Sequence, residues 1–233
     1  MNTESKEPEN WPARSLIRNR DLPSVLMVIP LGQFAVLSLT GWTCLPGAWG
    51  ILEDMPHDAT TIPLPPPRNP GGPYRICCVC LGNICRSPMA EVVLREQLAA
   101  AGLAGRVVVD SAGTGDWHIG DRMHAGARAQ LARSGYDGKS HRARQFDSSW
   151  LSERDLILAM DASNLRDLRA SAPAAEVDRI RLFGEVAGLG GRDVPDPYGG
   201  SPDDFADVLV LLESGMRRLV AQLKATPELS AEA

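Results

Sequence analysis

The 233-residue chain has no surplus of positive charge: 24 lysines and arginines face 29 aspartates and glutamates, for a net charge of −5. A nucleic-acid partner would need a basic patch or stripe, and neither half of the chain is strongly basic. Cysteine is scarce outside one place. Of five in all, four lie between Cys77 and Cys85, and Cys44 stands alone elsewhere. A disulfide framework spreads its cysteines along the chain, so this clustering points to chemistry or metal instead. No second CxxC and no histidine pair accompanies the cluster. No internal repeat is present. Residues 22–52 lack any charged side chain.

That uncharged run is long enough to cross a bilayer, but Pro23, Pro30, Pro46 and several glycines make it a poor helix. Arg14, Arg18 and Arg20 precede it, and Glu53 and Asp54 follow. A spanning helix here would place the rest of the chain outside the cytoplasm by the positive-inside rule. A signal peptide with a long leading segment and a plain unstructured extension remain open beside it. Residues 55–73, MPHDATTIPLPPPRNPGGP, read as a proline-rich linker. The division expected is an apolar and proline-rich N-terminal extension over 1–73, poorly ordered or membrane-associated, one domain over 74–226, and a tail over 227–233.

After residue 73, strands alternate with helices. YRICCVC (74–80), RVVVDS (106–111), DLILAM (155–160) and DRIRLF (178–183) predict four strands. Helices are predicted over 87–103 with Ser87 as cap, over 123–136 ending at Gly135, over 161–170 with Asp161 as cap, and over 201–225. Such alternation implies an α/β fold with a parallel sheet covered on both faces.

The stretch CCVCLGNICRSPM (77–89) follows directly from the first strand. Zinc, a redox switch and a phosphate-binding nucleophile all use such residues. In an extended strand Cys78 and Cys80 face one way and Cys77 the other, so the four thiols cannot converge on a zinc ion. Cys77 and Cys78 then serve as small core residues. The loop Cys80–Arg86 lies at the carboxyl end of a strand, where open α/β sheets bind ligands. Gly82 and Asn83 can take left-handed conformations that turn backbone N–H groups inward toward an anion. Arg86 adds a planar fork matched to two phosphate oxygens. The field that attracts a phosphate also favours the thiolate of Cys80, which makes it a nucleophile aimed at phosphorus.

CLGNICRSPMAE (80–91) resembles the C-x5-R-S loop of the low-molecular-weight protein tyrosine phosphatase family. DSAGTGDWHIG (110–120), HRARQ (141–145), MDASNLRDL (160–168) and DPYGGSPDDF (196–205) are similar to further segments of that family, in its order and spacing. The resemblance implies a three-layer α-β-α domain with a four-stranded parallel sheet. It implies hydrolysis of phosphotyrosine through a phosphocysteine, with no cofactor or metal. Cys80 is then the nucleophile, Arg86 the holder of the phosphoryl oxygens, and Asp196 the general acid. Gly82, Asn83, Ile84, Cys85 and Ser87 belong to the phosphate-binding loop, with Ser87 donating to the Cys80 sulfur. Asn83, Ser111 and His141 support the loop, and Leu81, Trp117 and Tyr198 wall a slot for an aromatic ring. The partners implied are phosphotyrosine-containing proteins, acted on by a monomeric domain. Asp193 is the rival for the acid, but lacks the Pro–Tyr that follows Asp196. Many relatives carry two tyrosines after that proline; here Tyr198 is followed by Gly199, which puts regulation through a tyrosine pair in doubt.

Three other functions share the loop. A thioredoxin-coupled arsenate reductase needs downstream cysteines to relay a disulfide, and no cysteine follows Cys85 in the remaining 148 residues. Similar protein-arginine phosphatases carry threonine where this chain has the apolar Ile84. A non-catalytic phosphotyrosine-binding module has no use for Cys80, Arg86 and Asp196 together. Cys85 sits five residues after Cys80 and is the expected redox partner, closing a disulfide with oxidised Cys80. That chemistry favours the cytoplasm, where thiols stay reduced.

Overall fold

The computed structural model describes residues 62–230. The apolar run 22–52 and most of the N-terminal extension lie outside them. The strand β1 (Tyr74–Cys80) is followed by α1 (Arg86–Ala100), β2 (Val107–Gly113), α2 (Ala125–Arg133), β3 (Leu156–Ala159), α3 (Ala162–Ala170), β4 (Ile180–Leu182), α4 (Phe183–Val186), α5 (Pro202–Ala225) and α6 (Pro227–Ser230). Short 3₁₀ helices occupy Ser148–Ser152 and Ala174–Arg179. The four strands form one parallel sheet in the order β2-β1-β3-β4. Among the described residues no helix is long and apolar enough to cross a membrane.

Alternation along β1 divides the core. Ile76, Cys78 and Cys80 join α1, α2 and α5 on one face of the sheet. Cys77 and Val79 pack on the other face with Leu168 of α3 and Leu151. Both faces are buried, which is why β1 and β3 read as continuous apolar runs. Cys77 and Cys78 are fully enclosed, and burial pushes both thiols well above the ordinary range.

Helix ends follow local chemistry in two of the predicted cases. Asp161 accepts the N–H of Asn164 at 2.7 Å and caps α3. Ser201 and Asp204 form a reciprocal capping box at the start of α5. α1 departs from this. It starts one residue before Ser87, its cap position is Cys85, and no side chain caps it. The Ser87 hydroxyl is engaged elsewhere, as described below. α2 is shorter than predicted: His124 caps it, accepting the Gly126 N–H on Nδ1 at 3.2 Å, and Gly135 (φ 84) lies just past its end.

Residues 62–73, read above as the end of a linker, are held against the domain at the amino ends of β1 and β3. The Asp155 carboxylate, 3% exposed, accepts the N–H groups of Arg68 (2.6 Å) and Arg75 (2.7 Å). The Arg68 guanidinium donates to the carbonyls of Arg154 (2.8 Å) and Leu151 (2.6 Å), and pairs with Glu176. Tyr74 Oη donates to the Pro65 carbonyl, and Arg179 to that of Pro66, both at 2.9 Å.

Candidate active site

The loop after β1 and the start of α1 enclose one end of a cavity of about 350 Å³ at the carboxyl ends of the strands. Cys80, Leu81, Gly82, Ile84, Cys85 and Arg86 line it, and Trp117, His118, Asp196 and Tyr198 complete it. Two conformational requirements shape the loop. Asn83 is left-handed (φ 55), a state asparagine tolerates. Gly82 is not left-handed, contrary to the expectation. It is small because His118 lies against it: a Cβ there would sit 2.9 Å from the imidazole Cδ2. Gly113 at the end of β2 meets a similar limit, since a Cβ would come within 2.7 Å of the Leu81 carbonyl oxygen.

The backbone of the loop is oriented by donors around it. The Cys80 and Leu81 carbonyls accept from the N–H groups of Thr114 and Gly115, both at 2.9 Å. The Ile84 carbonyl accepts from the N–H of His124 at 2.8 Å. The Asn83 carbonyl bonds to His141 Nε2 at 2.7 Å. With the carbonyls so engaged, the N–H groups of residues 81–85 find no acceptor among the described residues.

Beneath the loop lies a buried polar network. Asn83 Nδ2 donates to Ser87 Oγ and to Ser111 Oγ, both at 2.9 Å. Asn83 Oδ1 accepts the Arg144 N–H at 2.9 Å. Ser111 Oγ donates to Glu91 Oε2 at 2.6 Å. Ser87 Oγ sits 3.0 Å from Cys80 Sγ and 3.1 Å from the Ala112 carbonyl. Asn83, Ser87 and Ser111 are fully buried, so each bond replaces water that cannot reach them. Burial lowers the His141 pKa from its usual 6.5, with the Asn83 hydrogen bond opposing it. His141 is therefore a neutral donor to the Asn83 carbonyl.

Arg86 is 4% exposed. Nη1 pairs with Asp161 at 2.5 Å and Nη2 with Asp196 at 2.7 Å. Its Nε is buried and has no hydrogen-bond partner among the described residues. Asp196 is much more open than Asp161, with 43% of its side chain exposed. Asp193 is not in the cavity; its carboxylate accepts the Ala162 N–H at 3.0 Å. Trp117 and Tyr198, each 62% exposed, rise at the mouth with Leu81. Cys85 lines the same cavity as Cys80. Burial, with the nearby charges of Asp196 and Cys80, pushes its thiol up to about 12.

The structure thus brings Cys80, Leu81, Gly82, Ile84, Cys85, Arg86, Trp117, Asp196 and Tyr198 to one cavity, with Asn83, Ser87, Ser111 and His141 directly behind the loop. Two neighbours were not anticipated in the site. Asp161 was read only as a cap. His118 follows Trp117 in a segment already singled out, and its Nδ1 lies 2.9 Å from Asp121. The place of Asp161 just past β3, as Cys80 is just past β1, was the available signal for it.

Comparison with known proteins agrees with this geometry. The family described as low molecular weight phosphotyrosine protein phosphatase matches residues 75–229. A low molecular weight protein-tyrosine-phosphatase of Streptomyces coelicolor is 46% identical over 159 residues, 66% of this chain and 96% of that protein. The crystal structure of YfkJ from Bacillus subtilis superposes with a TM-score of 0.63 at 38% identity, over 68% of this chain and 99% of that one. An arginine phosphatase, YwlE, superposes with a TM-score of 0.62 at 29% identity, over 67% of this chain and 99% of that one. The match to the family covers the sheet, the loop and the acid segment, and the chain belongs to the low molecular weight phosphotyrosine protein phosphatase family.

Proposed function

We propose that the protein hydrolyses phosphotyrosine in other proteins through a phosphocysteine on Cys80. The observation that carries this is the set of donors converging beside one thiol: the N–H groups of residues 81–85, the unpartnered Nε of Arg86, and Ser87 Oγ at 3.0 Å. A phosphoryl dianion in the loop takes these N–H groups and shares the Arg86 fork. Cys80 Sγ attacks phosphorus as the bond to the tyrosine oxygen breaks. Asp196 delivers a proton to that oxygen, and tyrosine leaves. Asp196 then takes a proton from water as the water oxygen attacks the phosphocysteine and the P–S bond breaks. The sulfur departs as thiolate. Ser87 has one proton: with Cys80 a thiol it donates to Ala112, and with Cys80 a thiolate it turns to the sulfur. Asp161 holds the guanidinium in plane throughout, and Leu81, Trp117 and Tyr198 receive the aryl ring.

The apolar Ile84 in the cavity wall favours a flat aryl group over a guanidinium. The test is hydrolysis of p-nitrophenyl phosphate in the presence of a chelator. Cys80→Ser should lose nearly all turnover yet still bind vanadate. Asp196→Ala should be slower by roughly 10²–10⁴-fold, with a smaller loss for more acidic phenols. Asp193→Ala should be mild. Activity retained in Cys80→Ser, or faster release from phosphoarginine than from phosphotyrosine peptides, would reject the proposal.

The same cavity supports a redox role for Cys85. Hydrogen peroxide oxidises the Cys80 thiolate to a sulfenic acid as the peroxide O–O bond breaks, and the hydroxide that leaves takes a proton from solvent to become water. The Cys85 thiol then attacks that sulfur, and a second water leaves as the disulfide forms. Its high pKa keeps Cys85 from reacting first. Reductant should restore wild type more fully than Cys85→Ser, with a Cys80–Cys85 peptide found only in the former. A reducing cytoplasm suits this pair. The contacts of Pro65 and Arg68 support a domain that takes in the end of the proline-rich run before residue 74.

A further inference from the structure

His124 touches both the phosphate loop and the acid segment from outside the cavity lining. Its backbone N–H donates to the Ile84 carbonyl of the loop at 2.8 Å. Its ring meets Tyr198 of the acid segment edge-on, with centroids 5.5 Å apart at 61°. The same ring also lies parallel to Phe205 of α5, with centroids 5.3 Å apart at 4°. Phe205 is itself wedged: a Cβ on Gly126 would sit 2.6 Å from its ring. A chain of ring contacts therefore runs from α5 through His124 to Tyr198.

Tyr198 has little else to hold it. It is 62% exposed, and among the described residues His124 is the only aromatic ring it meets. The next residue, Gly199, has φ 76 and no side chain to brace the tyrosine. The Tyr198 N–H donates to Asp196 Oδ1 at 3.2 Å, a backbone tie that leaves the ring itself to be held from outside.

We propose that His124 is a positioning residue that sets the width of the aryl slot, through its backbone at Ile84 and its ring at Tyr198, and so fixes the preference for aryl over alkyl phosphate esters. This rests on the aryl-phosphatase reading above. His124 has a second task, capping α2 with Nδ1, and the two tasks separate by substitution. His124→Asn keeps an oxygen that accepts the Gly126 N–H but removes the ring. His124→Phe keeps a ring but removes the cap.

The experiment uses the full chain and measures thermal stability, KM and kcat for p-nitrophenyl phosphate and glycerol 2-phosphate, and inhibition by inorganic phosphate. Loss of the edge contact should raise KM for the aryl ester in His124→Asn by about 3–10-fold, the scale of an aromatic pair. Its Tm, its inhibition by phosphate and its KM for the alkyl ester should stay near wild type. His124→Phe should keep the aryl preference and lose a few degrees of Tm. In a Tyr198→Leu background, His124→Asn should have no further effect on the preference, which reads the coupling directly and does not depend on either single variant's stability. Unchanged aryl preference in His124→Asn, equal loss in both variants, or additive effects with Tyr198→Leu would overturn the inference. A wild type that hydrolyses both esters equally would instead reject the slot itself, and one that hydrolyses neither would reject the proposed function.

Discussion

Arg86 and Arg68 occupy opposite poles of the same sheet, and both are tied to carboxylates, yet they are used differently. Arg68, at the amino ends of the strands, spends its donors on the protein: Nε on the Arg154 carbonyl, Nη2 on the Leu151 carbonyl and on Glu176, and Nη1 on Glu176. Arg86, at the carboxyl ends, is more buried but less satisfied. Its Nη groups hold Asp161 and Asp196, while Nε has no partner among the described residues. One of its carboxylates is also half open to solvent and free to exchange for another anion. A saturated arginine fastens a segment. An arginine with a buried donor to spare, beside N–H groups without acceptors, is suited to a ligand.

The sharpest break in this comparison is the conservative substitution at each pole. Arg86→Lys keeps the charge and loses the fork, and kcat/KM should fall by about 10²–10³-fold, as when a transition-state donor is removed. Its Tm should move little. Measured together, an unchanged kcat/KM or a collapse of the fold would show that Arg86 is another Arg68.

Much of this contrast could not be read along the chain. YRICCVC declared β1 because both of its faces are buried, and the ordered motifs placed Cys80, Arg86 and Asp196 near one end of a sheet. The cap reading of Ser87 fails, though not its expected place beside Cys80, because cap preferences are local, whereas its hydroxyl is taken by Cys80, Asn83 and Ala112, and Ala112 lies on another strand. Asp161 was legible as a cap but not as the partner of Arg86, since that needs β1 and β3 side by side. Gly113 looks like any strand glycine until the loop is seen to pass over it. The proline-rich run looks like a linker because extended proline segments have no internal hydrogen bonds. Its partners, Asp155, Glu176 and Arg179, lie 87 to 113 residues further along the chain.

At the amino pole the effect should be on stability. Arg68→Ala removes the bonds to Glu176 and to the Leu151 and Arg154 carbonyls. Because the site is partly exposed, the loss should be about 1–3 kcal/mol, or a Tm lower by several degrees. Limited proteolysis should also cut more readily around residues 62–73, while kcat/KM stays within about twofold of wild type. An Arg68→Ala protein with wild-type Tm would make 62–73 a passive linker after all. One with intact Tm but lost activity would join the two poles in a way the geometry does not suggest.

The smallest effect should come from His141, which stiffens the cradle from behind. Burial keeps its ring neutral in the fold, while in the unfolded chain it titrates near the ordinary 6.5. Between that value and the lowered native one, the unfolded state binds more protons. The contribution of His141 to stability is therefore complete above about pH 7 and declines as the pH falls through 6.5 toward the native pKa, below which it no longer changes. Protonation leaves Nε2–H able to donate to Asn83, so the loss reflects the cost of a buried charge and not a broken bond. His141→Gln places a non-titrating amide donor at the same carbonyl. Thermal unfolding at pH 5, 6, 7 and 8 should show a shallower decline for this variant than for wild type, while Arg68→Ala should lie lower at every pH with the wild-type slope. Parallel curves for wild type and His141→Gln would mean that the imidazole behind the cradle does not govern its acid sensitivity, and would leave the carboxylates paired with Arg86 as the groups to examine.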